Sequence, residues 1–171
     1  MTKDELTYRR LALTEADLRQ LTVSFRQVVT GRVGERIYYG TYSDFLDQAR
    51  IMLFESAGYP GELTDIDEGW YFPVIGYSLK ILSPVHSGEM VEVTGWCHRL
   101  SGVRGWMGFT VKNLASGKTA AHGYSEHCFV DRVTMKPIAP NPEWRIFRKI
   151  REHAAGGGRT PAGADSSLAL G

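Results

Sequence analysis

The sequence predicts an α+β domain in which one long helix lies against an antiparallel sheet. Three observations carry that reading. The segment from 42 to 57 keeps apolar residues at helical spacing, the segments after it read as strands, several of them alternating with period two, and the turns between those segments are short. Connections of that length suit neighbouring strands that pair in sequence.

In chain order, residues 1–21 read as an N-terminal extension, where Thr14-Glu15-Ala16-Asp17 has the form of a capping box opening a short amphipathic helix. Residues 22–147 form the body. Thr22 to Val29 is β-rich and roughly alternating. The loop after it carries Gly31 and Gly34, where the backbone is free to turn tightly or approach a ligand. Thr41-Tyr42-Ser43-Asp44 suits the cap of the next helix, with Asp44 in its positive first turn. At 100° per residue Tyr42, Phe45, Leu46, Ala49, Met52, Leu53 and Ala57 share one face, Asp47, Arg50 and Phe54 lie on its flank, and Gly58 and Pro60 end the helix. Four strands are expected next, at 71–83, 90–100, 106–113 and 119–131, arranged as a meander. In the second of these Val91, Val93, Gly95 and Cys97 face one way, and Glu92, Thr94, Trp96 and His98 the other. Residues 148–171 are expected to be largely a disordered tail, because Gly, Ala, Ser and Pro dominate from His153 onward.

Composition narrows the function classes. The chain has 171 residues, 43% hydrophobic and 23% charged, the profile of one globular domain able to bury its own core. Twenty Lys+Arg against nineteen Asp+Glu give a net charge of +1, which offers nothing to nucleic acid. Cys97 and Cys128 are too few for a zinc framework or a disulfide scaffold, and no histidine spacing suggests a metal, so neither metal nor cofactor is expected. No apolar run approaches the roughly 20 residues that cross a bilayer, and MTKDELTYRR has no apolar signal core. The expectation is a cytoplasmic protein without a membrane partner.

Several motifs in order then resemble a known family. Tyr42-x-x-Phe45-x-x-x-Ala49-Arg50 is similar to the Tyr-x-x-Tyr-x-x-x-Ala-Arg stretch of the 4-hydroxybenzoyl-CoA thioesterase type. Phe72-Pro73-Val74-Ile75 through Ser83-Pro84, Ser87-Gly88-Glu89-Met90-Val91-Glu92-Val93, Ser116-Gly117-Lys118 and Cys128-Phe129-Val130-Asp131 resemble its second strand, its turn into the third, its closing hairpin and its final strand. The resemblance covers roughly 22–145. It implies a hotdog fold, a curled antiparallel sheet of about five to six strands wrapped around one long central helix. It also implies hydrolysis of an acyl-CoA or acyl-carrier-protein thioester, with a polyketide or aromatic acyl group among the options, in a homodimer or homotetramer whose sites form between subunits.

Thioester hydrolysis needs an activated water or a nucleophile, and donors for the developing oxyanion. In the family a helix N-terminus supplies the donors, which places them at Tyr39, Gly40, Thr41 and Tyr42, although Gly40 alternatively only relieves crowding. The sequence departs from the family at the acid. The catalytic Asp of the 4-hydroxybenzoyl type would fall at Arg32, with a companion at Thr30, and neither is acidic. Glu35 is the one carboxylate of that loop. In the register of the other hotdog branch, Tyr38-Tyr39-Gly40 replaces His-Gly-Gly and Asp47 takes the carboxylate position. Asp47 is therefore either base or nucleophile, or a flank residue paired with Arg50. A third option resembles hotdog thioesterases of enediyne polyketide pathways, with Arg50, Tyr38 and Tyr42 holding the thioester and a water. Among the histidines, His122 shares a strand face with Tyr124 and Glu126, His127 faces the other way, and His86 and His98 read as surface. Arg99, Arg104, Lys112 and Lys118 gather around two turns and are candidates for the phosphates of CoA or a phosphopantetheine arm, or are simply solvated. Two further functions stay open: a catalytically silent hotdog that binds an acyl or polyketide intermediate, and a dehydratase, whose Asp/His-bearing motif the chain lacks.

Overall fold

The computed structural model describes residues 1–30, the backbone of 32, 33 and 36, and residues 37–59 and 67–156. Gly31, Gly34, Glu35 and the stretch 157–171 lie outside the described residues, so the expectations for the Glu35 carboxylate and for the last part of the tail do too.

The N-terminal extension holds two helices, α1 (Lys3–Leu11) and α2 (Glu15–Arg19), each opened by a capping box. At the second, Asp17 N donates to Thr14 Oγ1 at 3.1 Å and Thr14 N to Asp17 Oδ2 at 2.8 Å. The same device at Thr2 and Glu5 starts α1, which the sequence reading missed. Leu11 and Leu18 are fully buried, so the extension belongs to the core.

The body runs β1 (Thr22–Val28), β2 (Arg32–Val33), β3 (Arg36–Ile37), α3 (Gly40–Ser56), β4 (Trp70–Tyr71), β5 (Val74–Ile81), β6 (Met90–Ser101), β7 (Arg104–Asn113), β8 (Thr119–Cys128) and β9 (Val130–Asp131). The main sheet is antiparallel in the order β1-β6-β7-β8-β5 and closes around α3, which is a hotdog fold. The expected meander is corrected in one respect. β5 does not pair with β6; it lies at the far edge beside β8, with Tyr77 opposite Ser125. The connection 82–89 crosses the end of the sheet to reach β6, held by Leu82 N to Ala120 O at 2.8 Å and Val29 N to Glu89 O at 2.9 Å. β1 then takes the free side of β6.

Tyr42, Phe45, Leu46, Ala49 and Leu53 are all buried along one side of α3, as their spacing requires. The first three pack with Val91, Val93, Phe109 and Val111 of the inner sheet face. Contact is tightest where a Cβ added to Gly95 would sit 2.7 Å from Ala49 Cβ. Around the C-terminal end of α3, Phe54, Tyr59, Trp70, Phe72, Phe129 and Trp144 form an aromatic cluster in which Trp70 and Trp144 stack at 4.7 Å.

The C-terminal expectation needs correction. Residues 148–155 belong to a helix, α4 (Arg145–Ala155), that seats Phe147 and Ile150 in that cluster. Burying two such side chains stabilises by about 1.5–3 kcal/mol each, which outweighs the neighbouring Gly/Ala-rich composition. Glu68 caps the helix from outside, Arg145 N donating to its Oε2 at 3.1 Å.

Gly95→Ala is expected to lower stability by about 1–3 kcal/mol, because the sheet and α3 must separate to admit the methyl. An unchanged urea midpoint would show that the contact is slack.

Candidate active site

The N-terminus of α3 is built differently from those of α1 and α2. Its N-cap, Tyr39, is itself helical (φ −61°, ψ −28°), and no side chain caps it. Thr41 and Ser43, expected as caps, lie inside the helix, where Ser43 Oγ donates to Gly40 O at 2.7 Å. Of the predicted oxyanion donors, Thr41 N and Tyr42 N are taken up by turns to Tyr38 O (2.9 Å) and Tyr39 O (3.1 Å). Among the described residues no such turn holds Tyr39 N and Gly40 N. Tyr38 is exposed and its ring occupies the space a Gly40 Cβ would take, so Gly40 is the residue that lets the ring and the helix meet.

This helix start opens into a cleft of ≈ 420 Å³ whose walls include Tyr39, Tyr42, Leu82, Val85 and His86. Tyr42 is completely buried, and its hydroxyl has no hydrogen-bond partner among the described residues. Burial, with a smaller contribution from Tyr39, holds its phenol above the ordinary value.

Further along α3, Asp47 and Arg50 form an ion pair, Nη2 to Oδ1 at 3.1 Å, with Asp47 half exposed and Arg50 mostly buried. Both readings of Asp47 thus meet in one geometry, a carboxylate open to solvent and held by the arginine. Arg50 Nε is buried with no hydrogen-bond partner among the described residues, and burial lowers the guanidinium's proton affinity by more than Asp47 raises it. Tyr77 of β5 belongs to the same neighbourhood. Its phenol is raised to about 12 by burial first, then by Asp47 and Tyr42, so it stays protonated at neutral pH.

Behind this group, His127 is fully buried. Its ring stacks on Phe72 at 4.3 Å, Nδ1 lies 3.1 Å from Phe72 O, and Nε2 lies 2.7 Å from Ser125 Oγ. The carbonyl can only accept, so Nδ1 carries the proton and Ser125 donates to Nε2.

The basic candidates do not form one patch. Arg99 and Arg104 stand at one end of β7 and Lys112 and Lys118 at the other, about 25 Å apart at 3.3 Å per residue. Arg99 is bound to Asp4 at 2.7 Å and Arg104 to Glu126 at 2.8 Å. Lys112 and Lys118 are exposed, at the end of the sheet that carries the cleft. Among the described residues no three His, Cys, Asp or Glu converge as a metal site, and no helix is long and apolar enough to cross a membrane.

A curled sheet around one helix, with a cleft at that helix's bare N-terminus, defines a hotdog protein with a candidate acyl site. Comparison with known proteins agrees on the fold. No family model matches the chain. The chain is 25% identical over 126 residues to YneP of Bacillus subtilis (strain 168), a candidate acyl-CoA thioesterase, a match covering 71% of this chain and 88% of that protein. A DHNA-CoA thioesterase from Staphylococcus aureus superposes with a TM-score of 0.62 at 21% identity, over 81% of this chain and 95% of its own. A 4-hydroxybenzoyl-CoA thioesterase variant in complex with 4-hydroxybenzoyl-CoA superposes with a TM-score of 0.63 at 12% identity, over 75% and 98%.

His127 gives the site a measurable pH signature in stability. Burial, with a smaller push from Arg50, lowers its pKa from 6.5 to about 4. The unfolded chain therefore takes up a proton below 6.5 that the folded chain refuses until about 4, so stability falls as pH drops through that window and is fully present above it. The loss attributable to this residue is roughly 3 kcal/mol. His127→Gln, which cannot titrate, is expected to remove this part of the drop between pH 7 and 4.5 in urea unfolding; an undiminished drop would contradict the assignment.

Proposed function

We propose that this protein hydrolyses acyl-CoA thioesters at the cleft where α3 begins. The observation that carries the reading is the start of that helix, which no side chain among the described residues caps and whose Tyr39 walls a cleft large enough for an acyl thioester. Two adjacent amides at the positive end of a helix are suited to the charge that develops on a thioester carbonyl oxygen. The fold shared with CoA thioesterases supports the same reading. Tyr39 and Tyr42 wall the cleft, with Tyr38 beside it, which suits an aromatic or other flat acyl group over a long aliphatic one. Asp47 holds Arg50 in place along the same helix. Lys112 and Lys118 lie on the cleft's end of the sheet and suit the CoA phosphates. A carrier-protein thioester presents the same acyl and pantetheine groups and is the second substrate class to test.

The active unit is proposed to be a homodimer formed along β5. That strand is a sheet edge, and it exposes Val74, Ile75, Tyr77 and Ile81, whereas the other edge, β1, exposes Thr22, Arg26 and Gln27 beside Val28. An apolar edge left open invites strand pairing, and two copies meeting antiparallel satisfy both edges with one self-complementary contact.

Two measurements test these statements. Free-thiol release is expected from aromatic acyl-CoAs in preference to long-chain ones. No release from any acyl-CoA or acyl-carrier-protein, with acyl-CoA binding retained, would leave the silent acyl-binding alternative in place. Light scattering is expected to give twice the chain mass for the wild type and a monomer for Ile75→Lys; a monomeric wild type would contradict the β5 dimer.

A further inference from the structure

The loop 82–89 between β5 and β6 carries a histidine–carboxylate pair at the wall of the cleft. His86 Nδ1 lies 3.0 Å from Glu89 Oε1, and the same oxygen accepts His86 N at 2.7 Å. The other carboxylate oxygen, Oε2, accepts Asn113 Nδ2 at 3.2 Å. Those donors, the His86 amide first and Asn113 second, hold the Glu89 carboxyl below its ordinary range, so it is ionised and can only accept. Nδ1 of His86 must then be the protonated nitrogen. Nε2 is left with its lone pair available, on a side chain that forms part of the cleft wall.

The loop is not a loose surface feature. Ile37 N donates to Val85 O at 3.1 Å, which ties the residue before His86 to the segment leading into α3. Val29 N to Glu89 O at 2.9 Å and Gly88 N to Val29 O at 2.7 Å tie its other end to the chain just after β1. Gly88 has φ +90°, a conformation that brings Glu89 back towards His86 and that a side chain would strain.

We propose that His86, oriented by Glu89, is the general base that activates the hydrolytic water at the start of α3. This rests on the thioester hydrolysis proposed above. The step balances as follows. His86 Nε2 takes a proton from water while the water oxygen bonds to the thioester carbonyl carbon. The carbonyl oxygen gains the negative charge and is held by Tyr39 N and Gly40 N. The C–S bond then breaks, the sulfur leaves with its electron pair and receives the proton from His86, and a carboxylic acid and a free thiol result.

The alternatives inside the cleft are poorer bases. Among the described residues the other titratable groups in its wall are the phenols of Tyr39 and Tyr42, and burial holds the second above its ordinary value. Asp47 lies seven residues beyond Gly40, about 10 Å along the helix axis, and is engaged by Arg50. Imidazole is the side chain of this set suited to exchanging a proton near neutral pH. The charged or titratable groups facing it are Glu89 across the turn and Tyr39 and Tyr42 across the cleft.

The test uses the full chain, an acyl-CoA that the wild type hydrolyses, and CoA itself as the binding probe. His86→Gln is expected to lower kcat at least 100-fold, within the range of general-base contributions, with CoA affinity and unfolding midpoint unchanged. Glu89→Gln is expected to lower kcat less, with KM unchanged, and Glu89→Asp to restore part of it, because a carboxylate is what holds the His86 proton on Nδ1. A purely structural turn would not split kcat from KM in this way. If His86→Gln keeps most of the wild-type kcat, or if Glu89→Gln keeps all of it, the dyad is overturned while the hydrolase reading stands. If the wild type itself releases no thiol from any acyl thioester, both fall together.

Discussion

The architecture depends on one close approach, Ala49 of α3 against Gly95 of β6, where a single added methyl would lie 2.7 Å from its neighbour. This contact sets the depth at which the helix sits in the curl of the sheet. From it follow the burial of Tyr42, Phe45, Leu46 and Leu53 and the positions of Asp47 and Arg50 on the flank. It also fixes where the two ends of the helix emerge. One end is filled by the aromatic cluster around Trp70 and sealed by α4; the other opens into the cleft.

The two ends have opposite chemistry, and the four helices of the described chain make the contrast plain. α1 and α2 start with capping boxes, and α4, which lacks a cap of its own, takes one from Glu68. α3 alone begins with no side chain on its amides. Leaving an N-cap unmade costs about 1 kcal/mol, and this chain makes one wherever the helix end has a purely structural role. The bare end coincides with a buried tyrosine hydroxyl that has no hydrogen-bond partner among the described residues, and with a histidine whose tautomer a carboxylate fixes. The start of the helix and the oriented imidazole meet at one cleft.

Much of the fold was legible in the sequence because burial imposes a period. The helical face of α3 was readable, and so was the face of β6 that carries Val91 and Val93 into the core, although Glu92 and Thr94 on its other face are buried too. Strand order was not, because β5 has two possible neighbours and its choice of β8 is made by the crossing of 82–89. α4 was hidden by the Gly-rich stretch after it, although Ile146, Phe147 and Ile150 carry helical spacing. At the site, the Asp47–Arg50 pair followed from helical spacing, but the four basic residues were grouped by turn when β7 separates them. His86 reads as surface and is exposed, but its place in the cleft wall and its pairing with Glu89 were not legible, because a histidine in a loop has no period to betray it. The available signal was His86-Ser-Gly-Glu89, where a glycine able to take positive φ folds the glutamate back onto the histidine.

The central claim is that the carbonyl of the substrate lies at the uncapped start of α3. A crystal structure with an acyl-CoA analogue in which methylene replaces the thioester sulfur tests it most directly. The expected result is the ketone oxygen within hydrogen-bond distance of Tyr39 N and Gly40 N, with His86 Nε2 on the side from which water would attack. A ketone bound elsewhere, with those two amides facing solvent, would contradict it.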